Sequence, residues 1–368
     1  MLCNAITSGY SFMDMKRDYY EDIELFSGLT VLFWSMTFLV LLFTLPLLVP
    51  DYYFYLFNII LVHVILAVGL NILVGYTGQI SLGHAGFFAI GAYGTALLIM
   101  HANFPFFLAL TAAGLIAAFF GLIIGLPALR LKGPYLAIAT LGFGLTIMHV
   151  IGHWEVFGGR MGIQVPPLDI GLPRTGLSLV LDTDVKIYYL ILPIAVILVI
   201  GARNLMKTKM GRAFIAIRDD DVAAEVMGVN LTVYKGLSFA VSAFYAGIAG
   251  GLFGCVLGFF DPFTFNFLLS ISFLVMVVVG GLGSVLGAVL GATLITYLQY
   301  ELLKNVAEMP FLGGLLVAFS RKFFTVAGLE NLSSIALGLI MITIVIFEPL
   351  GMFGIWIRMK KYWKTWPF

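Results

Sequence analysis

Charge is what this chain has least of. Only 11% of its 368 residues are charged, against 61% that are hydrophobic, and the mean hydropathy is +1.06. So little polar surface cannot clothe a soluble globule of this size, which excludes the soluble fold classes and leaves an integral membrane protein. Cysteine is nearly absent: Cys3 and Cys255 are too few for a disulfide framework or a metal site, and they leave the redox compartment open. The dipeptide Gly-Lys never occurs, so no Walker A loop can form, and neither His-Glu-x-x-His nor Gly-x-Ser-x-Gly is present. No catalytic residue, resident metal or bound cofactor is therefore expected, and nucleic acid is not among the expected partners. No Asp, Glu or Arg falls at the centre of an apolar run, which argues against a proton relay or an ion-coupled pump.

What the chain does have is length of apolar sequence. Runs able to cross roughly 30 Å of hydrocarbon fall near 29–50, 54–74, 106–129, 134–154, 187–203, 236–257 and 332–354, and shorter or glycine-broken runs near 85–101, 267–282 and 284–300. The expected fold is all-α: a polytopic membrane protein of about ten transmembrane helices, with discontinuous glycine-rich segments. The first apolar run follows acidic residues and lacks a convincing small-residue cleavage site, so it reads as a retained span rather than a signal peptide. Residues 1–28 form an N-terminal segment, 29–355 a single membrane domain and 356–368 a tail. The longest remaining connections, 155–186 and 301–331, are large enough for a short surface helix but not for a module.

The net charge of +1 says little, but the placement of basic residues says more. With both termini inside, the inner segments hold Lys16, Arg17, Arg130, Lys132, six basic residues within 203–235, and Arg358, Lys360, Lys361 and Lys364. The outer segments hold Arg160, Arg174, Lys186, Lys304, Arg321 and Lys322, so fourteen stand against six and the positive-inside rule favours this orientation. Trp154, Trp356, Trp363 and Trp366 lie near span ends, as interfacial aromatics do.

The block 203–235 carries six basic and four acidic residues between apolar runs. Inside it, Asp219-Asp220-Asp221 precedes Val222 to Met227 and then Gly228, the order of an acidic N-cap, a short helix and a glycine C-cap. A capped helix held between spans reads as a docking element.

Gly75 to Gly86 places Thr77, Gln79, Ser81 and His84 at membrane depth, among too many glycines for a stable continuous helix. Such backbone survives only when buried in protein or lining a wet cavity. Thr77, Gly78, Gln79, Ser81, Gly83 and His84 are thus candidates for a broken helix beside a translocation path, with close packing through small residues as the plainer account. For Gly283, Gly287 and Gly291, and for Gly247/Gly251 and Gly250/Gly254/Gly258, packing is the better account. Gly75, Gly78 and Gly86 share the spacing of Gly280, Gly283 and Gly291, which reads as internal duplication or as coincidence. His63, Asn71, His149 and His153 read as satisfied bundle or interfacial residues, and Glu348 as a snorkelling or capping group.

Five stretches, Leu70–Tyr93, Leu131–Leu141, Gly211–Val229, Val279–Ser284 and Phe347–Gly354, resemble the branched-chain amino acid ABC importer permeases, specifically the M-type subunit. That resemblance implies a bacterial or archaeal plasma-membrane importer of two permeases and two ABC ATPase subunits, in which the partners hydrolyse ATP. An external binding protein would deliver leucine, isoleucine, valine or related amino acids. By the same likeness 211–229 is the cytoplasmic coupling loop, with Gly211, Arg212, Arg218, Asp219, Asp220, Val222, Glu225, Val226, Met227 and Gly228 meeting the ATPase. Relatives of this architecture carry urea or short amides, and a secondary carrier is the competing class. The first 25 residues and 305–330 follow no family pattern.

Overall fold

The computed structural model describes residues 29–47, 49–127, 131, 133–166, 168, 169, 180–302, 338, 339, 342, 343, 346–348 and 351–365. Lys16, Arg17, Arg130, Lys132, Arg174, Lys304, Arg321 and Lys322, with Cys3 and Trp366, lie outside them. The chain divides into two units, Met1–Leu48 and Val49–Phe368.

In the first unit, α1 (Leu29–Thr44) runs into a 3-10 turn at Leu45–Leu47. It is apolar around its circumference, the mark of a helix that does not face water. Thr37 and Thr44 turn their hydroxyls back onto the carbonyls of Phe33 and Val40, hiding the only hydrogen-bonding groups they expose.

The second unit contains α2 (Phe54–Asn71), α3 (His84–Ala102), α4 (Phe106–Gly125), α5 (Pro134–His153), α6 (Asp184–Lys207), α7 (Lys209–Asp219), α8 (Asp221–Val226) and α9 (Leu231–Leu257). Then come α10 (Phe267–Gly280), α11 (Val285–Tyr297) and α12 (Gly351–Thr365). Among the described residues, six helices are long and apolar enough to cross a membrane: those over Asp51–Tyr76, His84–Ala102, Phe106–Gly125, Pro134–His153, Asp184–Lys207 and Leu231–Leu257. Met36–Leu47, Phe267–Gly280 and Val285–Tyr300 are shorter apolar helices. The run 332–354 is described only in pieces, all of them helical where it precedes Glu348.

The fold is helical with a trace of sheet. β1 (Ile163–Gln164) pairs antiparallel with β4 (Phe259–Phe260), and β2 (Leu168–Asp169) with β3 (Val180–Leu181). The connection after α5 therefore holds two 3-10 turns, Glu155–Phe157 and Gly159–Met161, with β1, β2 and β3, while β4 follows α9. Most of 301–331 lies outside the described residues.

The core forms around α9, which packs against α4, α3 and α2. Its glycines explain how. A Cβ on Gly250 would overlap the carbonyl of Phe88, one on Gly247 would lie 3.0 Å from the Cα of Gly114, and one on Gly125 would lie 2.9 Å from the Cα of Gly236. Backbones touch where side chains would otherwise intervene, the usual device of helix association in lipid. The α10–α11 hairpin closes the same way, with Gly280 against the carbonyl of Gly287 and Gly291 against that of Met276. For Gly247, Gly250, Gly287 and Gly291 the packing account of the glycine ladders holds, whereas Gly258 and Gly283 take left-handed φ of 69° and 75° at helix ends. At one end of the bundle, buried Phe260 meets Tyr93 edge-on at 4.9 Å and Phe265 at 5.7 Å, so the β1–β4 ladder is pinned to the helices by aromatic rings.

Candidate functional site

Two interruptions of the helical bundle meet. At the first, α2 widens into a π-turn over Ile72–Tyr76 and then leaves helical geometry until α3 begins at His84. Gly78 takes φ 72°, a left-handed turn that a side chain would strain. Thr77 Oγ1 donates to the carbonyl of Ile72 at 2.8 Å, and the Gln79 amide to that of Leu73 at 3.1 Å, so the chain folds back on the helix it has left.

Beyond the turn, three helices supply the hydrogen bonds that the broken backbone lacks. Gln79 Nε2 donates to Ser238 Oγ at 3.0 Å. Ser81 Oγ lies 2.9 Å from His84 Nδ1, and His84 Nε2 lies 2.8 Å from Ser242 Oγ. The Leu82 amide donates to Thr140 Oγ1 and the Ala85 amide to Ser270 Oγ, each at 3.0 Å. Ser238 and Ser242 are one helical turn apart on α9, Thr140 is on α5 and Ser270 on α10. Non-helical backbone at membrane depth is tolerated when so surrounded. Thr77, Gln79, Ser81 and His84 are all buried, while Gly78 and Ile80 remain exposed. Gln79 Oε1 accepts no hydrogen bond. Gly83 is held by contact, because a Cβ there would overlap the Thr140 carbonyl.

The second interruption separates α10 from α11. Gly281 and Gly283 take φ 118° and 75°, and Ser284 caps α11 by accepting from the Gly287 amide at 3.1 Å. Asn71, in the last turn of α2, crosses to this break: its Oδ1 accepts from the Gly283 amide at 3.0 Å and its Nδ2 donates to the Ser284 carbonyl at 2.7 Å. A Cβ on Gly75 would overlap both Asn71 and the Gly283 amide. The two glycine sets of matching spacing are thus joined at their first turns. Sequence reading classed Asn71 as an ordinary bundle residue, and no signal within its own segment points to a partner so distant. His63, also buried, meets Thr296 Oγ1 at 2.8 Å. His149 and His153 pack ring on ring on the exposed face of α5, and Glu348 pairs with Arg358.

The charged block between α6 and α9 is more structured than its composition announces. Thr208 caps α7, accepting from the Met210 amide at 3.2 Å. α7 buries Gly211, Ala213, Phe214 and Ile217. Gly211 is packed where a Cβ would strike the Met206 backbone, and Arg212 donates to the Lys207 carbonyl at 3.3 Å. Of the three aspartates it is Asp220 that caps α8, accepting from Val222 and Ala223 at 2.8 and 3.0 Å. Gly228, φ 86°, ends the helix, and Val229 returns to the Ala224 carbonyl at 3.0 Å. Val222, Val226 and Met227 are 65%, 81% and 83% exposed, and Asp219 and Glu225 are exposed beside them.

Two side chains bring this block to the first break. Arg218 Nη1 donates to the Gly75 carbonyl at 3.0 Å while its other nitrogens hold Asp219. Lys235, buried in the first turn of α9, pairs with Asp221 at 2.9 Å. The Lys235 carbonyl accepts from Ser238 Oγ at 2.7 Å, the hydroxyl that also receives Gln79. Sequence reading missed Lys235, Ser238, Ser242, Thr140 and Ser270; the four-residue spacing of the two serines was the available signal. Among the described residues no cluster of His, Cys, Asp and Glu could hold a metal.

Long apolar helices, two joined helix breaks and an apolar-tipped helix carried by a polar loop define a polytopic α-helical membrane protein with discontinuous helices. Residues 52–345 match the family model of the branched-chain amino acid transport system/permease component, and the chain belongs to that family. It is 37% identical over 278 residues to the high-affinity branched-chain amino acid transport system permease protein LivM of Salmonella typhimurium, covering 70% of this chain and 65% of that protein. The Escherichia coli K12 protein of the same name is 38% identical with the same coverage. The permease protein LivH of Salmonella typhimurium is 25% identical over 237 residues, 61% of this chain and 76% of that one. The matched region thus spans just under two thirds of the LivM relatives' length, and no solved structure matches.

Proposed function

We propose that the chain is a transmembrane permease subunit of an ATP-driven importer, moving branched-chain amino acids handed over by an external binding protein. The names of the LivM and LivH relatives support the cargo, and the pairing of two permease types supports a second permease as partner. Two ABC ATPase subunits would supply the energy, the chain itself binding no cofactor.

The observation that carries the reading is α8. A six-residue helix capped at both ends, with Val222, Val226 and Met227 facing outward, is marginal alone in water and fits a cleft on another protein. Asp219, Arg212 and Glu225 would orient it there, while Gly211, Asp220 and Gly228 shape the backbone. In this reading the loop 203–235 and both termini face the cytoplasm, about ten helices cross the membrane, and Thr77 to His84 lie beside the path, where Gly78 and Ile80 are exposed.

The test is reconstitution. The chain, copurified with its second permease and ATPases in liposomes and supplied with the binding protein, should take up leucine only with ATP. Uptake driven by an ion gradient without ATP would point instead to a secondary carrier.

A further inference from the structure

We propose that Arg218 and Lys235 are positioning residues that fasten the surface helix α8 to the first helix break, delivering any displacement of α8 to the place where the two breaks meet. The inference rests on the coupling reading of α8 and goes one step further, from where force would enter the chain to where it would arrive.

α8 is too short to hold an orientation through its own hydrogen bonds. Its attachment is therefore decided by the groups at its start. Asp221, its first residue, is tied to Lys235 at 2.9 Å, with side chains 17% and 6% exposed. An ion pair so far out of water is rigid, because separating it strands a charge in a poor solvent. From Lys235 the connection continues through its carbonyl to Ser238 Oγ at 2.7 Å and from there to Gln79 Nε2 at 3.0 Å, within the broken segment.

The second attachment is independent of the first. Arg218, in the last turn of α7 and three residues before Asp221, reaches the Gly75 carbonyl at 3.0 Å. That carbonyl belongs to the π-turn closing α2, where helix dipoles leave partial negative charge that suits a guanidinium. The Gly75 backbone abuts Gly283, which Asn71 holds at 3.0 Å. One attachment would leave α8 free to pivot; two, on opposite sides of the Asp220 cap, fix its angle. The short helix is thereby linked to Gly75 and Gln79 on the near side of the break, and through Asn71 to the α10–α11 break.

The assembled complex in liposomes tests this, with leucine uptake and ATP hydrolysis measured on the same preparation. Lys235→Met and Arg218→Met should each raise the ATP consumed per leucine moved by roughly 3- to 30-fold, the range over which coupling residues act, with the ATPase still bound. The isosteric Asp221→Asn and the shorter, polar Arg218→Gln should give smaller changes in the same direction, and they carry the test should the methionine variants fail to assemble. The exchanged pair Lys235→Asp with Asp221→Lys should recover part of the lost coupling. An unchanged ATP-to-leucine ratio in all these variants overturns the proposal, as does loss of ATPase binding in parallel with loss of uptake, since that is what a merely structural pair would give. Val226→Asp separates the two levels of inference. If it leaves the ATPase bound, the coupling reading of α8 fails; if it detaches the ATPase while the Lys235 and Arg218 variants couple normally, only the fastening fails.

Discussion

Asn71 Nδ2 donates to the carbonyl of Ser284 at 2.7 Å across 213 residues of sequence. With the Gly283 amide on its Oδ1, one side-chain amide substitutes for the helical bonds that α10 and α11 forgo between them. The glycine spacing matches on either side, but the bridge is one-sided: the residue four places before Gly280, as Asn71 is four before Gly75, is Met276.

Removing that bridge should be costly. Asn71→Ala leaves a half-buried donor and a buried acceptor unpaired, about 2–4 kcal/mol together. The purified complex should lose thermal stability by a corresponding amount in a detergent melt, and Asn71→Ser should fall between the two. Equal melting of all three would mean that water replaces the amide without penalty.

Val226→Asp should behave in the opposite way. The side chain is 81% exposed, so the folded chain tolerates the change. In the proposed cleft the new carboxylate would be desolvated without a partner, at a cost on the order of a few kcal/mol. Pull-down of ATPase with the tagged chain should drop sharply while the yield of inserted chain stays level. Wild-type recovery of ATPase would show that α8 is only a connector.

The two glycines of the first break should separate packing from conformation. Gly83→Leu drives a side chain into the Thr140 backbone, so failure of assembly is expected, measured as loss of the complex on size exclusion. Gly78→Ala meets no such wall: it pays roughly 1–2 kcal/mol for its left-handed turn and crowds Arg218 Cγ at 3.2 Å. The complex should form and uptake should fall. Normal uptake by Gly78→Ala would remove this turn from the path.

Orientation is open to a direct check. Lys209→Cys and Met161→Cys both sit at exposed positions outside the apolar stretches, and neither removes a helix cap. In intact cells an impermeant maleimide should label Met161→Cys and spare Lys209→Cys until the membrane is opened. The reverse pattern would invert the topology.

Much of this arrangement is visible in the sequence, for identifiable reasons. The long helices follow from apolar runs that match a bilayer and the first break from glycine density at Gly75–Gly86, whereas the glycines of the second break, Gly281 and Gly283, are obscured by a four-residue ladder that reads as helix packing. The α8 cap was legible to within one residue, since three consecutive aspartates offer three registers and only geometry selects Asp220. α7 was hidden because Lys209, Arg212, Arg218 and Asp219 made its stretch look like solvated loop, although Phe214 and Ile217 already marked a buried face. The two-residue strands carry no periodicity to detect. The partners of Asn71, Gln79 and His84 could not be read at all, because hydrogen bonds between distant segments leave no trace in the spacing of either one.

The composition of α9 bears on how the chain enters its bilayer. This helix is apolar enough to cross a membrane, yet Lys235, Ser238, Ser242 and five glycines leave long stretches of it shaped for other helices rather than for lipid. Its favourable contacts are with α2, α3 and α4, all of which precede it in the chain. By the time α9 is synthesised, the surface that receives it is already in the membrane. The direction of translation thus becomes part of the folding route, and a circular permutation placing α9 first would put it in the membrane before any of the helices it packs against.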